Sequence, residues 1–430
     1  MTSTNKSKRS IPVVTDIVTF SEISKQYLID GQLSAQIQVI DCRTSNQYNG
    51  WPDDNGCEGH FPGAINIDTH WLDGLNSDQL SQLFVNYNIQ KSKPTFLYGN
   101  DAASCNKLKL SLAKHGVEQV QVVGQSLTEN SEPLICLPNV RQLVSPQWIN
   151  NVIKGDVTPY PPEHRHTLIE VQSGVAFDYL QSHIPTALNL DLNNLEAAPW
   201  WNRVSDENIT EVLTKLGICY DTTVILYGRN NMAAARAANI MMYAGVEDVR
   251  LLNGGWQAWE NSKFDTESLI NTNHQYAEFG KKIPVYPHYI VDIPEVKTLL
   301  AKDPNKHSLV SIRTWDEFIG KTSGYSYIKQ KGSITGSKWG HAGTHANNVN
   351  DFINPDGTMK SAGSISALWK DANINRTQQI YFYCGTGWRA SEAFFYAFVM
   401  GWQHISVFDG GWYEWSHHDT NPIITLCETK

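Results

Sequence analysis

The chain has 430 residues, a formal net charge of −9, 41% apolar residues and 14 tryptophans. That length suits about three domains of ordinary size, and the composition excludes a mostly disordered chain. The spread-out acidity argues against nucleic acid as a partner, because phosphate contacts need clustered Lys and Arg, and no run reaches the roughly 18–20 apolar residues of a membrane span.

The chain opens on Met1-Thr2-Ser3-Thr4-Asn5-Lys6-Ser7-Lys8-Arg9-Ser10, polar and basic with no apolar stretch behind it. As it stands this is not a secretory leader. The expected compartment is the cytoplasm, or the periplasm if a natural leader has been removed.

One pattern then recurs three times. An apolar strand ending in a polar signature appears as Val39-Ile40-Asp41-Cys42-Arg43, Leu168-Ile169-Glu170-Val171 and Leu309-Val310-Ser311-Ile312-Arg313. A turn follows it: Gly59-His60-Phe61-Pro62-Gly63-Ala64, Ser182-His183-Ile184-Pro185-Thr186-Ala187 and Gly332-Ser333-Ile334-Thr335-Gly336-Ser337. Next comes a second strand, Thr95-Phe96-Leu97-Tyr98-Gly99, Val224-Ile225-Leu226-Tyr227-Gly228 and Ile380-Tyr381-Phe382-Tyr383-Cys384. A closing strand and glycine turn complete each copy at Gly124, Gly254-Gly255-Trp256 and Gly410-Gly411-Trp412. Helical runs such as Ala233–Tyr243 and Ser391–Met400 alternate with the strands, which indicates βα units and parallel sheets. Copy three carries an insertion around Gly320 to Lys331.

Seven cysteines without a close Cys-x-x-Cys pair give neither a disulfide framework nor a zinc site. Cys42, Cys57, Cys105, Cys136, Cys219 and Cys427 carry no loop signature and read as buried or incidental thiols, Cys427 on an exposed tail. Cys384 differs. A β-favouring stretch delivers it into the loop Gly385-Thr386-Gly387-Trp388-Arg389-Ala390, and a helix follows. Such a loop aims backbone N–H groups and the positive end of a helix dipole at the sulfur, which favours the reactive thiolate. Gly385 and Gly387 supply the backbone freedom that the curl needs. Aligning the tyrosines puts Gly99 and Gly228 at the position of Cys384, so the first two copies have no nucleophile there.

Four residues separate Cys384 from Arg389, where tyrosine- and dual-specificity phosphatases have five. With the three repeats and Asp409-Gly410-Gly411-Trp412, the loop Cys-Gly-Thr-Gly-Trp-Arg resembles the rhodanese-type sulfurtransferases, in particular the bacterial enzymes with three such domains in tandem. The resemblance implies an α/β fold of three rhodanese-like domains, each a small parallel β-sheet flanked by helices. Residues 12–140 and 141–283 form domains without a catalytic cysteine, and residues 284–430 form the catalytic one. It implies a thiosulfate sulfurtransferase that moves a sulfane sulfur through a Cys384 persulfide to cyanide or a thiol, without metal or organic cofactor. In this reading Cys384 and Arg389 are catalytic, Arg389 reading the charge of thiosulfate or sulfite. Gly385, Thr386, Gly387, Trp388 and Ala390 form the persulfide-binding loop. Thr386 donates to the anion and Trp388 walls off water. The neutral Cys-Gly-Thr-Gly segment also resembles mercaptopyruvate enzymes, which leaves 3-mercaptopyruvate as the alternative donor. A persulfide relay to a protein partner is the alternative class.

Other polar residues take minor places. Arg313 with Asp316 or Glu317 reads as a structural ion pair near the rim, and His341 and His345 stay outside the catalytic set. Trp200, Trp201 and Arg203 lie on a polar stretch of the second repeat, with Arg203 the candidate to reach the catalytic loop.

Overall fold

The computed structural model describes residues 19–53, 56–272 and 276–426. Residues 12 and 430, expected as domain ends, the stretch Met1–Ser10 and Cys427 lie outside the described residues.

Three parallel sheets repeat one topology. In the first, β1 (Gln38–Asp41), β2 (Ile65–Asn66), β3 (Thr95–Tyr98) and β4 (Val120–Val122) lie in the order β2-β1-β3-β4. The second holds β5 (Leu143–Val144), β6 (His166–Gln172), β7 (Leu188–Asp191), β8 (Thr223–Tyr227) and β9 (Asp248–Leu252), in the order β5-β9-β8-β6-β7. The third holds β10 (Ile290–Val291), β11 (His307–Ser311), β12 (Lys338–Trp339), β13 (Gln379–Tyr383) and β14 (Ile405–Phe408), in the order β10-β14-β13-β11-β12. The apolar runs that looked like strands are strands, buried on both faces as parallel sheets require. In each repeat the loop-bearing strand (β3, β8 or β13) is central. Its last tyrosine serves one purpose three times: the Tyr98, Tyr227 and Tyr383 hydroxyls accept from the N–H groups of Phe61, Ile184 and Ile334 at 3.0, 3.0 and 3.4 Å. That bond ties the turn motif to the strand end.

The first sheet forms one compact unit, up to Tyr48 and from Pro52 to Ile135. The second and third sheets form another, which takes in Asn49–Trp51 and everything from Cys136 onward. Inside that second unit a single apolar core runs through both sheets.

A helix follows each loop-bearing strand: α1 (Ala102–Lys114), α2 (Asn231–Ala244) and α3 (Trp388–Val399). α1 and α2 start on capping side chains, Asp101 accepting from Ser104 N–H and Asn230 from Met232 N–H. α3 begins at Trp388, ahead of the expected Ser391, because Gly387 at φ +111° takes the cap position with no side chain to offer. Its first-turn N–H groups are therefore left for a ligand. α2 is buried around its whole circumference, and its alanines at 233, 234, 235, 237 and 238 keep it slim enough for α3 to pack against it. Among the described residues no helix is long and apolar enough to cross a membrane.

Candidate active site

β13 and its partner β11 carry the chain to the site, with Ile312 N–H donating to the Tyr383 carbonyl at 2.7 Å just before the loop. Cys384 is 1% exposed. Its carbonyl accepts from Trp412 N–H at 2.8 Å and the Gly385 carbonyl accepts from Tyr413 N–H at 3.0 Å, so the closing glycine turn pins the loop. A Cβ on Gly411 would stand 2.7 Å from the Cys384 carbonyl oxygen, which is why Gly410-Gly411 precedes the tryptophan. In the second repeat the Gly228 carbonyl accepts from Trp256 N–H at 3.1 Å in the same way, which confirms Gly228 as the counterpart of Cys384. No side chain fits at Gly228, where a Cβ would lie 2.7 Å from the Asn230 oxygen and 2.9 Å from that of Val171.

The sulfur receives one hydrogen bond among the described residues, from Gly387 N–H to Cys384 Sγ at 3.1 Å. Gly387 needs its glycine for backbone reasons, at φ +111°. Gly385 needs it for another reason than expected. Its φ is not in the left-handed region; a Cβ there would run into the ring of Tyr325.

Tyr325 belongs to the insertion of copy three, which covers the loop. Its hydroxyl donates to the Ala346 carbonyl at 2.9 Å, and its ring stacks on Tyr327 with centroids 5.3 Å apart. Tyr327 hydrogen-bonds Thr386 and meets Tyr413 edge-on at 5.5 Å. Tyr413 in turn meets Trp200 edge-on at 5.2 Å. Burial pushes both the Tyr325 and Tyr327 phenols up, so both are neutral donors. Thr386, expected to donate to an anion, here contacts Tyr327.

Arg389 makes a pair that the sequence did not foretell. Its guanidinium is 1% exposed and donates two bonds to Glu317, Nη1 to Oε2 at 2.8 Å and Nη2 to Oε1 at 2.9 Å. A guanidinium forked onto a carboxylate holds the start of α3 in place. Burial alone would raise the Glu317 carboxyl, but Arg389, Arg313 and the Thr314 N–H hold it down to about 2. Arg313 sits 3.5 Å from the same carboxylate, donates to the Gly332 carbonyl at 2.9 Å and lies over Trp412. The ion pair expected near the rim is therefore wholly buried, and its acid is Glu317. Asp316 pairs instead with Lys321 in solvent.

The second repeat backs the loop with other residues than expected. Arg203 donates to Asp409 at 2.8 Å and to Asp292 at 2.9 Å; it reaches the closing turn and makes no bond to the loop. Trp388 Nε1 donates to Glu196 Oε1 at 2.7 Å, so Trp388 is tied down by the second repeat. His341 packs on Trp339 and His345 bonds Asn348, outside the loop contacts. Tyr325, Tyr327 and Glu196 went unassigned in the sequence, and Glu317 was read as a partner of Arg313 alone. Only the insertion peculiar to copy three signalled the two tyrosines.

The rhodanese-like domain family matches residues 24–131, 161–262 and 292–418. The chain is 46% identical over 407 residues to the thiosulfate sulfurtransferase YnjE of Escherichia coli K12, covering 94% of this chain and 93% of that one. It is 31% identical to the sulfur carrier protein TtuD of Thermus thermophilus, over 65% of this chain and 95% of that one. The crystal structure of YnjE superposes with a TM-score of 0.89 over 95% of each chain. A structure of EanB with a cysteine persulfide and ergothioneine superposes at 0.85, with 34% identity over 92% of this chain and 97% of that one. With the strand, the loop and the turn recurring in all three repeats, the chain belongs to the rhodanese family, as a sulfurtransferase of three tandem rhodanese-like domains.

Proposed function

We propose that Cys384 attacks the sulfane sulfur of thiosulfate, that sulfite leaves with the bonding electron pair, and that the sulfur rests as a Cys384 persulfide. A thiol or cyanide then attacks the outer sulfur, forming its own S–S or C–S bond and returning the Cys384 thiolate. The observation that carries this reading is the Gly387 N–H at 3.1 Å from Sγ, at the uncapped start of α3. A donor so placed stabilises negative charge on the sulfur without reorganising, and burial strengthens it. Gly385, Thr386, Gly387, Trp388 and Ala390 frame the sulfur in this proposal. Arg389 fixes the frame through Glu317 and does not read the donor. Residues 12–140, 141–283 and 284–430 serve as two inert repeats and one catalytic repeat.

Steady-state rates with thiosulfate and with 3-mercaptopyruvate test the donor; a higher kcat/KM with mercaptopyruvate would reverse the assignment. A protein acceptor is supported by the relative called a sulfur carrier protein.

One observation favours a second reading of the acceptor. A tyrosine substituted in EanB stands as far ahead of its persulfide cysteine as Tyr325 stands ahead of Cys384, and a threonine substituted there matches Thr386 in the same way. EanB has been solved with ergothioneine, and an anaerobic ergothioneine biosynthesis enzyme of Chlorobium limicola with its natural substrate trimethyl histidine. The chain of rings Tyr325, Tyr327, Tyr413 and Trp200 offers the π faces that attract a quaternary ammonium. Mixing persulfidated protein with trimethyl histidine decides it: a sulfur-bearing imidazole product supports this acceptor, and unchanged persulfide removes it.

A further inference from the structure

Arg236 lies on α2 of the second repeat, wholly buried, and the chemistry above makes no use of it. Its Nε donates to Glu196 Oε2 at 3.1 Å, and its Nη2 donates to Asp409 Oδ1 and, at 3.3 Å, to the Trp201 carbonyl. Its Nη1 has no hydrogen-bond partner among the described residues. That nitrogen faces the catalytic loop: a Cβ built on Gly387 would stand 3.4 Å from Nη1 and 3.3 Å from Cζ. Gly387 is the residue whose N–H holds the Cys384 sulfur. A buried polar nitrogen left without a protein partner is costly and calls for a reason.

We infer that Arg236 is a positioning residue for Cys384. It braces the loop at Gly387 from the neighbouring repeat and fixes a positive charge behind the sulfur, so that thiolate and persulfide are favoured. The inference rests on the reading of Cys384 as the sulfur-bearing group. Around the sulfur, Tyr325 and Tyr327 from the covering segment are neutral, and Arg389 on α3 shares the single carboxylate of Glu317 with Arg313, so Arg236 adds to the positive charge on that side. The carboxylates that hold Arg236 are themselves shared, Asp409 with Arg203 and Glu196 with the indole of Trp388. A repeat whose own nucleophile position is Gly228 thus contributes to the chemistry of the next.

The test is the pH midpoint of Cys384 alkylation by iodoacetamide in the full chain, read on the Cys384 peptide by mass. Arg236→Met should raise the midpoint by about one pH unit, the usual effect of losing a nearby opposite charge. Arg236→Lys, which keeps the charge without the fork, should restore most of it; a purely structural role would leave the midpoint unmoved in any variant that folds. If Arg236→Met does not fold, the double variant Arg236→Met with Glu196→Gln is measured in its place. An unchanged midpoint in either folded variant, with Cys384 still accepting sulfur, overturns the role of Arg236 and leaves the nucleophile standing. A wild-type chain in which Cys384 accepts no sulfur overturns both.

Discussion

Arg389 and Glu317 form a buried pair, and that pairing changes what each residue is expected to do. An arginine that organises the loop serves every donor alike. Arg389→Ala should therefore cut kcat/KM by about one to two orders of magnitude for thiosulfate and for mercaptopyruvate equally, in line with the roughly 1.5–3 kcal/mol of a charged hydrogen bond. A loss confined to thiosulfate would show that Arg389 reads donor charge after all. Glu317, held at about 2 against an ordinary 4.5, stabilises the fold in full above the ordinary value, and that contribution disappears as the pH falls from about 4.5 towards 2. Glu392 behaves oppositely. It is buried on α3 with a single bond among the described residues, from the Tyr396 hydroxyl at 2.8 Å, and burial pushes it up to about 7. The folded state then binds the extra proton, so stability falls as the pH rises from about 4.5 through 7. Glu392→Gln should raise the melting temperature at pH 8, by the equivalent of about 3 kcal/mol, and change it far less at pH 5, by under about 1 kcal/mol. Equal effects at both pH values would refute the buried-acid account. The loop around Cys384 was legible because its glycines and the following helix are local in sequence. The pairing of Glu317 with Arg389 was not, since 72 positions separate the two; only its pairing with nearby Arg313 could be read locally.

Among the elements, the segment inserted in copy three is the most informative. The sequence shows it as extra length with two tyrosines; only the fold shows that Tyr325 lies against Gly385. The strands and the α3 helix were readable because buried parallel strands are apolar runs. The start of α3 was missed because a left-handed glycine cap leaves no Ser, Thr, Asp or Asn to mark it. The contact between Tyr325 and Gly385 makes a coupling prediction. Gly385→Ala should slow persulfide formation by pushing on the Tyr325 ring, and adding Tyr325→Ala should recover part of the loss. Additive losses in the two substitutions would mean that they do not meet.

Across the whole molecule, the second and third sheets share one apolar core, whereas the first is a compact unit of its own. The three-fold repeat was plain in the sequence. That two copies share a core was not, because α2 reads as an ordinary alanine-rich helix until α3 is seen against it. A chain beginning at Tyr286 would expose the α3 face that α2 covers, and should be aggregation-prone and turn over poorly. A chain beginning at Cys136 keeps that core but loses Trp51, whose Nε1 donates to the Leu143 carbonyl at 2.8 Å. It should remain active with a lowered melting temperature. Full turnover by the chain from Tyr286 would show that the second repeat contributes nothing to the site.

The central claim is that sulfur travels on Cys384, and intact-protein mass after incubation with thiosulfate tests it most directly. The wild-type chain should gain one sulfur atom, mapped to the Cys384 peptide and discharged by cyanide, while Cys384→Ser gains none and loses essentially all transfer activity. A Cys384→Ser chain that still gains a sulfur, or a wild-type chain that carries it on another cysteine, would contradict the account.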